Sequence, residues 1–107
     1  MVFLFLRMVY TIYWTGTFQK MYDSLPSEEK QWILKIEFQV KEFPYGKVIR
    51  YFWFREKKYL NKRLYFLIDE QNQRILFVDF DSKKEQKKAI QKILRDMDDL
   101  LLYLRSL

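Results

Sequence analysis

The chain has no histidine and no cysteine, and only two glycines and two prolines in 107 residues. Without imidazole or thiol there is no cysteine nucleophile, no Ser-His-Asp triad, no Cys/His zinc site and no disulfide framework. Any catalysis must run on Lys, Arg, Tyr, Asp or Glu. Long hydrophobic runs are also missing. Met1-Val-Phe-Leu-Phe-Leu6 ends at Arg7, too short for a membrane span or a signal-peptide core, and no small-residue cleavage site follows. The expectation is a cytoplasmic protein without membrane contact. It starts at Met1, with residues 1–8 as an N-terminal extension, or at Met8.

What is present is apolar and basic. Half the residues are hydrophobic and 20% are aromatic, which excludes a disordered tail and fits one domain over residues 1–107. The formal charge of +6 is unevenly spread. Tyr45 to Tyr65 carries seven cations and one acid, net +6, and Ser82 to Arg95 six cations and one acid, net +5. The remainder, with seven cations and twelve acids, is net −5. Such a distribution points to a polyanionic partner, nucleic acid before membrane, against the alternative of two solvated basic surfaces.

Periodicity predicts the elements. Val9 to Trp14 is β-branched and aromatic, a strand. Phe18, Met21, Tyr22 and Leu25 stripe a short helix that Pro26 ends. Ser27 can cap a second helix, with Glu28 and Glu29 in its first turn and Ile33, Ile36, Val40 and Phe43 on its apolar side. Pro44-Tyr45-Gly46 closes it. Strands are predicted at Val48 to Lys57, Lys62 to Asp69 and Arg74 to Phe80, joined by hairpins. Ser82-Lys-Lys-Glu85 reads as a capping box opening a long C-terminal helix, of which residues 95–107 form an extension. The order β-α-α-β-β-β-α is an α+β fold: an antiparallel-rich sheet packed on one face by a helix hairpin.

Setting Arg55 opposite Arg63 places Phe52, Phe54, Leu64 and Phe66 on one covered face. The other face then shows Tyr51, Trp53, Arg55, Lys57, Arg63 and Tyr65, aromatics interleaved with cations. That surface suits stacked bases and phosphates, especially single-stranded RNA; the alternative is a half-exposed face of snorkelling side chains. Lys83 and Lys84 would join Arg55, Lys57 and Arg63 at one end of the sheet. A magnesium nuclease site is not expected: Asp69 and Asp81 fall about 24 Å apart in this register. The apolar stripe from Met97 to Leu104 is expected to overrun the small core and pack on a partner or a second copy, a homodimer through the C-terminal helix.

These features together resemble the RelE/ParE superfamily of toxins from type II toxin–antitoxin systems, in its RelE-like branch. The resemblance is carried by the Phe43-Pro-Tyr-Gly-Lys47 loop, by Arg55-Glu-Lys-Lys58 with Lys62-Arg-Leu-Tyr-Phe-Leu-Ile68, and by Asp81-Ser-Lys-Lys-Glu-Gln86. It implies a ribosome-dependent, metal- and cofactor-independent mRNA endoribonuclease that inhibits translation and is held by a cognate antitoxin. It also implies catalytic roles for Arg55, Lys57, Arg63 and Lys83, with Lys57 as base. Trp53, Lys58, Lys62, Tyr65, Lys84 and Lys87 would bind RNA. The family's C-terminal tyrosine has no counterpart near Ala89-Ile90, and Tyr103 lies far along the helix. A non-catalytic relative that binds nucleic acid or poisons DNA gyrase is the alternative.

Overall fold

The computed structural model describes residues 9–107; the proposed extension at 1–8 lies outside them. The order is β1 (Thr11–Trp14), α1 (Gly16–Asp23), α2 (Ser27–Glu42), β2 (Lys47–Ile49), β3 (Tyr51–Tyr59), β4 (Lys62–Asp69), β5 (Arg74–Ser82), a 3-10 turn (Lys83–Glu85), α3 (Gln86–Arg95) and α4 (Met97–Ser106). The strands form one sheet in the order β1-β5-β4-β3-β2, antiparallel except where β1 runs parallel to β5. The α+β class and mainly antiparallel sheet agree with the sequence. Two expected elements are each split in two: the first hairpin strand at Arg50, and the C-terminal helix at Asp96.

Local chemistry accounts for the element ends. The Thr15 Oγ1 accepts the Phe18 amide and caps α1. Ser27 does not cap α2; it is the first helical residue after Pro26, where proline's fixed φ suits a helix entrance. The capping box at Ser82 does not form either, since no Ser82 side-chain bond caps the turn. Instead the Lys83 amide donates to the Asn61 carbonyl, tying the start of the last segment to the β3–β4 turn. Scarcity of glycine leaves three turn positions, Arg50, Leu60 and Gln73, in the left-handed region at φ 58°, 50° and 54°. Each costs about 1–2 kcal/mol against glycine. Gly46 is needed where it stands: a Cβ there would meet the Glu56 carbonyl at 2.9 Å and the Phe66 ring at 3.0 Å.

Helices cover both faces of the sheet, not one. On the first, Phe18 of α1 and Ile33, Ile36 and Val40 of α2 pack on Leu64, Phe66, Ile68, Ile75, Phe77 and Phe80. On the second, Ala89 and Ile93 of α3 and Met97 and Leu104 of α4 pack on Phe54, Tyr65, Leu67, Leu76 and Val78. With two buried faces, β4 is buried without interruption from Arg63 to Ile68, the behaviour of a strand between two layers. The observed register sets Phe54 opposite Leu67, Arg55 opposite Phe66 and Lys58 opposite Arg63. It differs by three positions from the one that paired Arg55 with Arg63. An odd slip exchanges faces, so Phe54 belongs to the α3/α4 side, while Leu64 and Phe66 face α1/α2. The continuous apolar run of β4 allowed either parity.

The break at Asp96 turns α4 back onto the sheet. The stripe expected to seek a second copy is used within the chain: Met97 and Leu104 are buried in the second core, and the Arg74 guanidinium donates to the Arg105 carbonyl at the end of α4. Outward-facing apolar residues on α4 are Leu102 and Tyr103.

Candidate nucleic-acid interface

The β3–β4 turn and the 3-10 turn meet through the Lys83–Asn61 bond. This gathers Lys58, Lys83 and Lys84, all exposed, at one end of the sheet. From there α3 continues the charge. Ala89 and Ile93 face the core, so Lys84, Lys87, Lys88, Gln91 and Arg95 fall on the opposite side and are exposed. The i, i+3, i+4, i+7 spacing keeps them on one face. Lys87 to Arg95 spans about 12 Å at helical rise. Among the described residues no acid pairs with Lys58, Lys83, Lys84, Lys87 or Lys88, whereas Arg95 meets Asp96 at 3.4 Å.

Beneath this rim, on the α3/α4 side, lies a half-sealed polar floor. Arg63 is buried, and its Nη1 donates to the Leu60 and Lys62 carbonyls, so it braces the turn. Glu56 is buried beside it and accepts a hydrogen bond from Gln86 Nε2 at 2.9 Å. Asp79 and Asp81 stand opposite Tyr65 and Arg63 on β5, and each turns a carboxylate oxygen onto the next backbone amide. At the centre is Tyr65, fully buried, its hydroxyl without a hydrogen-bond partner. Burial first, then Glu56, Asp79 and Asp81, push the phenol far above its ordinary value, with Arg63 opposing. Burial likewise raises Asp79, with the Phe80 amide and Lys92 opposing. Among the described residues no cluster of acids is arranged to hold a metal ion.

The residues singled out from sequence divide between the two faces. Arg63, Lys83, Lys84, Lys58 and Lys87 come together as described. Arg55 and Lys57 do not join them: paired with Phe66 and Leu64, they lie on the α1/α2 face. Arg55 is committed to structure, with Nε donating to the Phe52 carbonyl at 2.7 Å, Nη1 to Gly46 at 3.2 Å, and its plane over the Phe52 ring. Lys57 sits beside Phe38, Phe43 and Tyr45, and burial lowers its pKa below that of an ordinary lysine. Lys62 is ion-paired with Glu29 of α2 and lies over the Phe80 ring. Tyr65, placed by the sequence reading on an exposed RNA face, is in the core. Trp53 stacks on Tyr51 at 4.8 Å with rings 2° from parallel. It borders a cavity of about 200 Å³ with Phe52, Ile68, Leu101 and Leu104, and its five-residue separation along β3 puts it about 17 Å from Lys58. Glu56, Gln86, Asp79 and Lys88 were not singled out. The alternation Phe54, Glu56, Lys58 carried that signal, but only with the other parity.

No protein-family model matches the sequence, and no curated protein matches it. Solved structures do. A double arginine-to-alanine variant of the free Escherichia coli toxin RelE superposes with a TM-score of 0.70 at 15% identity, over 82% of this chain and 98% of that one. The RelBE2 toxin–antitoxin complex of Mycobacterium tuberculosis matches with a TM-score of 0.61 at 20% identity, over 69% and 98%. The intact E. coli RelBE complex matches with a TM-score of 0.62 at 15% identity, over 68% and 95%. The chain has a RelE-like toxin fold. No helix among the described residues is long and apolar enough to cross a membrane.

Proposed function

We propose that this chain, with its RelE-like fold, is the toxin of a toxin–antitoxin pair and arrests translation as a metal-independent endoribonuclease acting on mRNA at the ribosome. The observation that carries the reading is the rim of unpaired lysines at one end of the sheet, Lys58, Lys83, Lys84, Lys87 and Lys88. These cations anchor phosphates, and their attraction falls with salt as counterions are released. In the reaction the ribose 2′-hydroxyl attacks the adjacent phosphorus and passes its proton to solvent water, while the 5′-oxygen leaves and takes a proton from solvent water. Lys58 and Lys83 neutralise charge on the phosphorane oxygens, and Arg63 adds positive potential from below. Arg55 and Lys57, on the other face, take no part.

A second reading is favoured by the floor. Glu56, Asp79 and Asp81 surround Tyr65 and Arg63, and three carboxylates oppose a scissile phosphate. On this reading the protein grips nucleic acid through the rim without cutting it. The test is a reconstituted translation reaction with a defined mRNA, read by primer extension and by protein yield. Cut mRNA that requires ribosomes, abolished in Lys58→Ala with Lys83→Ala, supports the nuclease. Blocked synthesis on intact mRNA overturns cleavage in favour of the second reading, and unaffected synthesis overturns both.

A further inference from the structure

The segment that carries the rim starts without a cap. Neither Ser82 before the 3-10 turn nor Glu85 before α3 places a side chain on the free amides that follow it. What fixes this start is contact with the sheet. One tie is the Lys83 amide on the Asn61 carbonyl. The other runs through a side chain. Gln86, the first residue of α3, reaches with Nε2 to the Glu56 carboxylate at 2.9 Å. Gln86 precedes Ala89 by three residues and Ile93 by seven, so it extends the core-facing stripe of α3 by one turn. It is half-buried, while Lys84, Lys87 and Lys88 around it are exposed.

Glu56 is an unexpected partner at this place. It lies within β3, 7% exposed, under a rim of lysines. Yet among the described residues no lysine or arginine stands within ion-pair distance of it. A buried carboxylate is costly unless hydrogen bonds answer it, and the Gln86 amide supplies one. By charge alone an acid beneath the rim weakens the hold on a polyanion. Geometry accounts for it instead. The bond fixes the first turn of α3 on the sheet, and with it the lysines on either side of Gln86. Lys58 follows Glu56 by two residues in β3 and shares its face. The Glu56–Gln86 bond therefore sets where Lys84, Lys87 and Lys88 of the last segment stand relative to Lys58 of the sheet.

Resting on the reading of the rim as an RNA-binding surface, we propose that Glu56 is a positioning residue of that surface, acting through Gln86 to hold the lysines at the start of α3 in place beside Lys58.

The test measures binding of a fluorescein-labelled oligouridine to the whole chain across a salt series, with the melting temperature of each variant recorded. The sign of the effect separates position from charge. Glu56→Ala removes an acid from beneath the rim, which by charge alone raises RNA affinity. Loss of the tie should instead lower it about tenfold and reduce the slope of log affinity against log salt by about 1. Gln86→Ala changes no charge and should do the same, and the double variant should lose no more than either alone. Glu56→Gln keeps an acceptor oxygen for Gln86 Nε2 and should bind at least as tightly as the wild type. Should Glu56→Ala fail to fold, Gln86→Ala decides, because its side chain is only half-buried. Affinity unchanged or raised in Gln86→Ala overturns the positioning role while RNA binding by the rim stands. Equal losses in Glu56→Gln and Glu56→Ala overturn it in favour of a role for the charge itself. A wild-type chain that does not bind the RNA overturns the rim and the positioning together.

Discussion

The two faces of the sheet are drawn from the same strands, yet their polar groups have different fates. On the α1/α2 face the cations are taken up by the fold. Lys62 is paired with Glu29, Arg55 is spent on the Phe52 and Gly46 carbonyls, and Lys57 has no ion-pair partner among the described residues. On the α3/α4 face the balance is reversed. The floor holds acids and a buried phenol, and the free cations stand above it on the 3-10 turn and α3. The α1/α2 face commits Lys62 and Arg55 to structure, while the α3/α4 side commits Arg63 to the turn and keeps its exposed lysines unpaired above it.

The largest expected effect tests whether both faces are true cores. Phe66→Ala and Leu67→Ala, adjacent in β4 but facing opposite layers, should each cost about 2–5 kcal/mol in denaturant unfolding. A near-neutral Leu67→Ala would show that the α3/α4 layer is not packed. Next comes the Glu29–Lys62 pair. Lys62→Met leaves a largely buried carboxylate alone and should cost about 2–3 kcal/mol, which Glu29→Gln in the same chain should largely restore. Full additivity of the two changes would deny the coupling. Arg55→Lys should cost about 1–2 kcal/mol through the lost carbonyl bonds and leave RNA affinity unchanged, whereas Lys84→Ala with Lys87→Ala should leave stability unchanged and lower the slope of log affinity against log salt by about 1–2. If the two variants swap phenotypes, the division of labour between the faces fails.

Smaller effects sharpen the detail. Leu60→Gly should stabilise the protein by about 1 kcal/mol, since Leu60 is exposed and held at φ 50°. A destabilised variant would mean that the Leu60 side chain contributes more than its backbone strain costs. Asp79 has a folded pKa raised by burial above the ordinary 3.8, so it binds a proton more readily folded than unfolded. Its contribution therefore falls as pH rises through that value. Asp79→Asn, which keeps the acceptor for the Phe80 amide, should flatten the pH dependence of the melting temperature above pH 3.8; an unchanged profile would place Asp79 in contact with solvent.

Much of the fold was legible because periodicity and punctuation agreed. The apolar stripes of Phe18 through Leu25 and Ile33 through Val40, with Pro26 and Pro44 between and after them, located the first two helices, and the hairpin strands followed from their turn signals, whereas the caps expected at Ser27 and Ser82 do not form. Of the site, Arg63, Lys58, Lys83, Lys84 and Lys87 were legible as a basic group at one end of the sheet, because charge clustering survives either parity, while Lys88 was not singled out. Arg55, Lys57 and Tyr65 were assigned to the wrong surroundings for one reason. Leu64 to Ile68 is apolar at every position, so it contains no alternation from which to read parity, and a three-residue change in register exchanges the faces.

The sequence by itself determined the class of fold, the absence of thiol and imidazole chemistry, and the confinement of positive charge to two segments. Those are properties of composition and local period, which need no partner strand. Only the tertiary structure decided that both faces are covered, that the last helix breaks at Asp96 to close its own core, and that Arg55 and Lys57 stand apart from Arg63. These depend on which strand residue lies opposite which, set by packing summed over two layers. In a strand buried on both sides no local pattern records that choice.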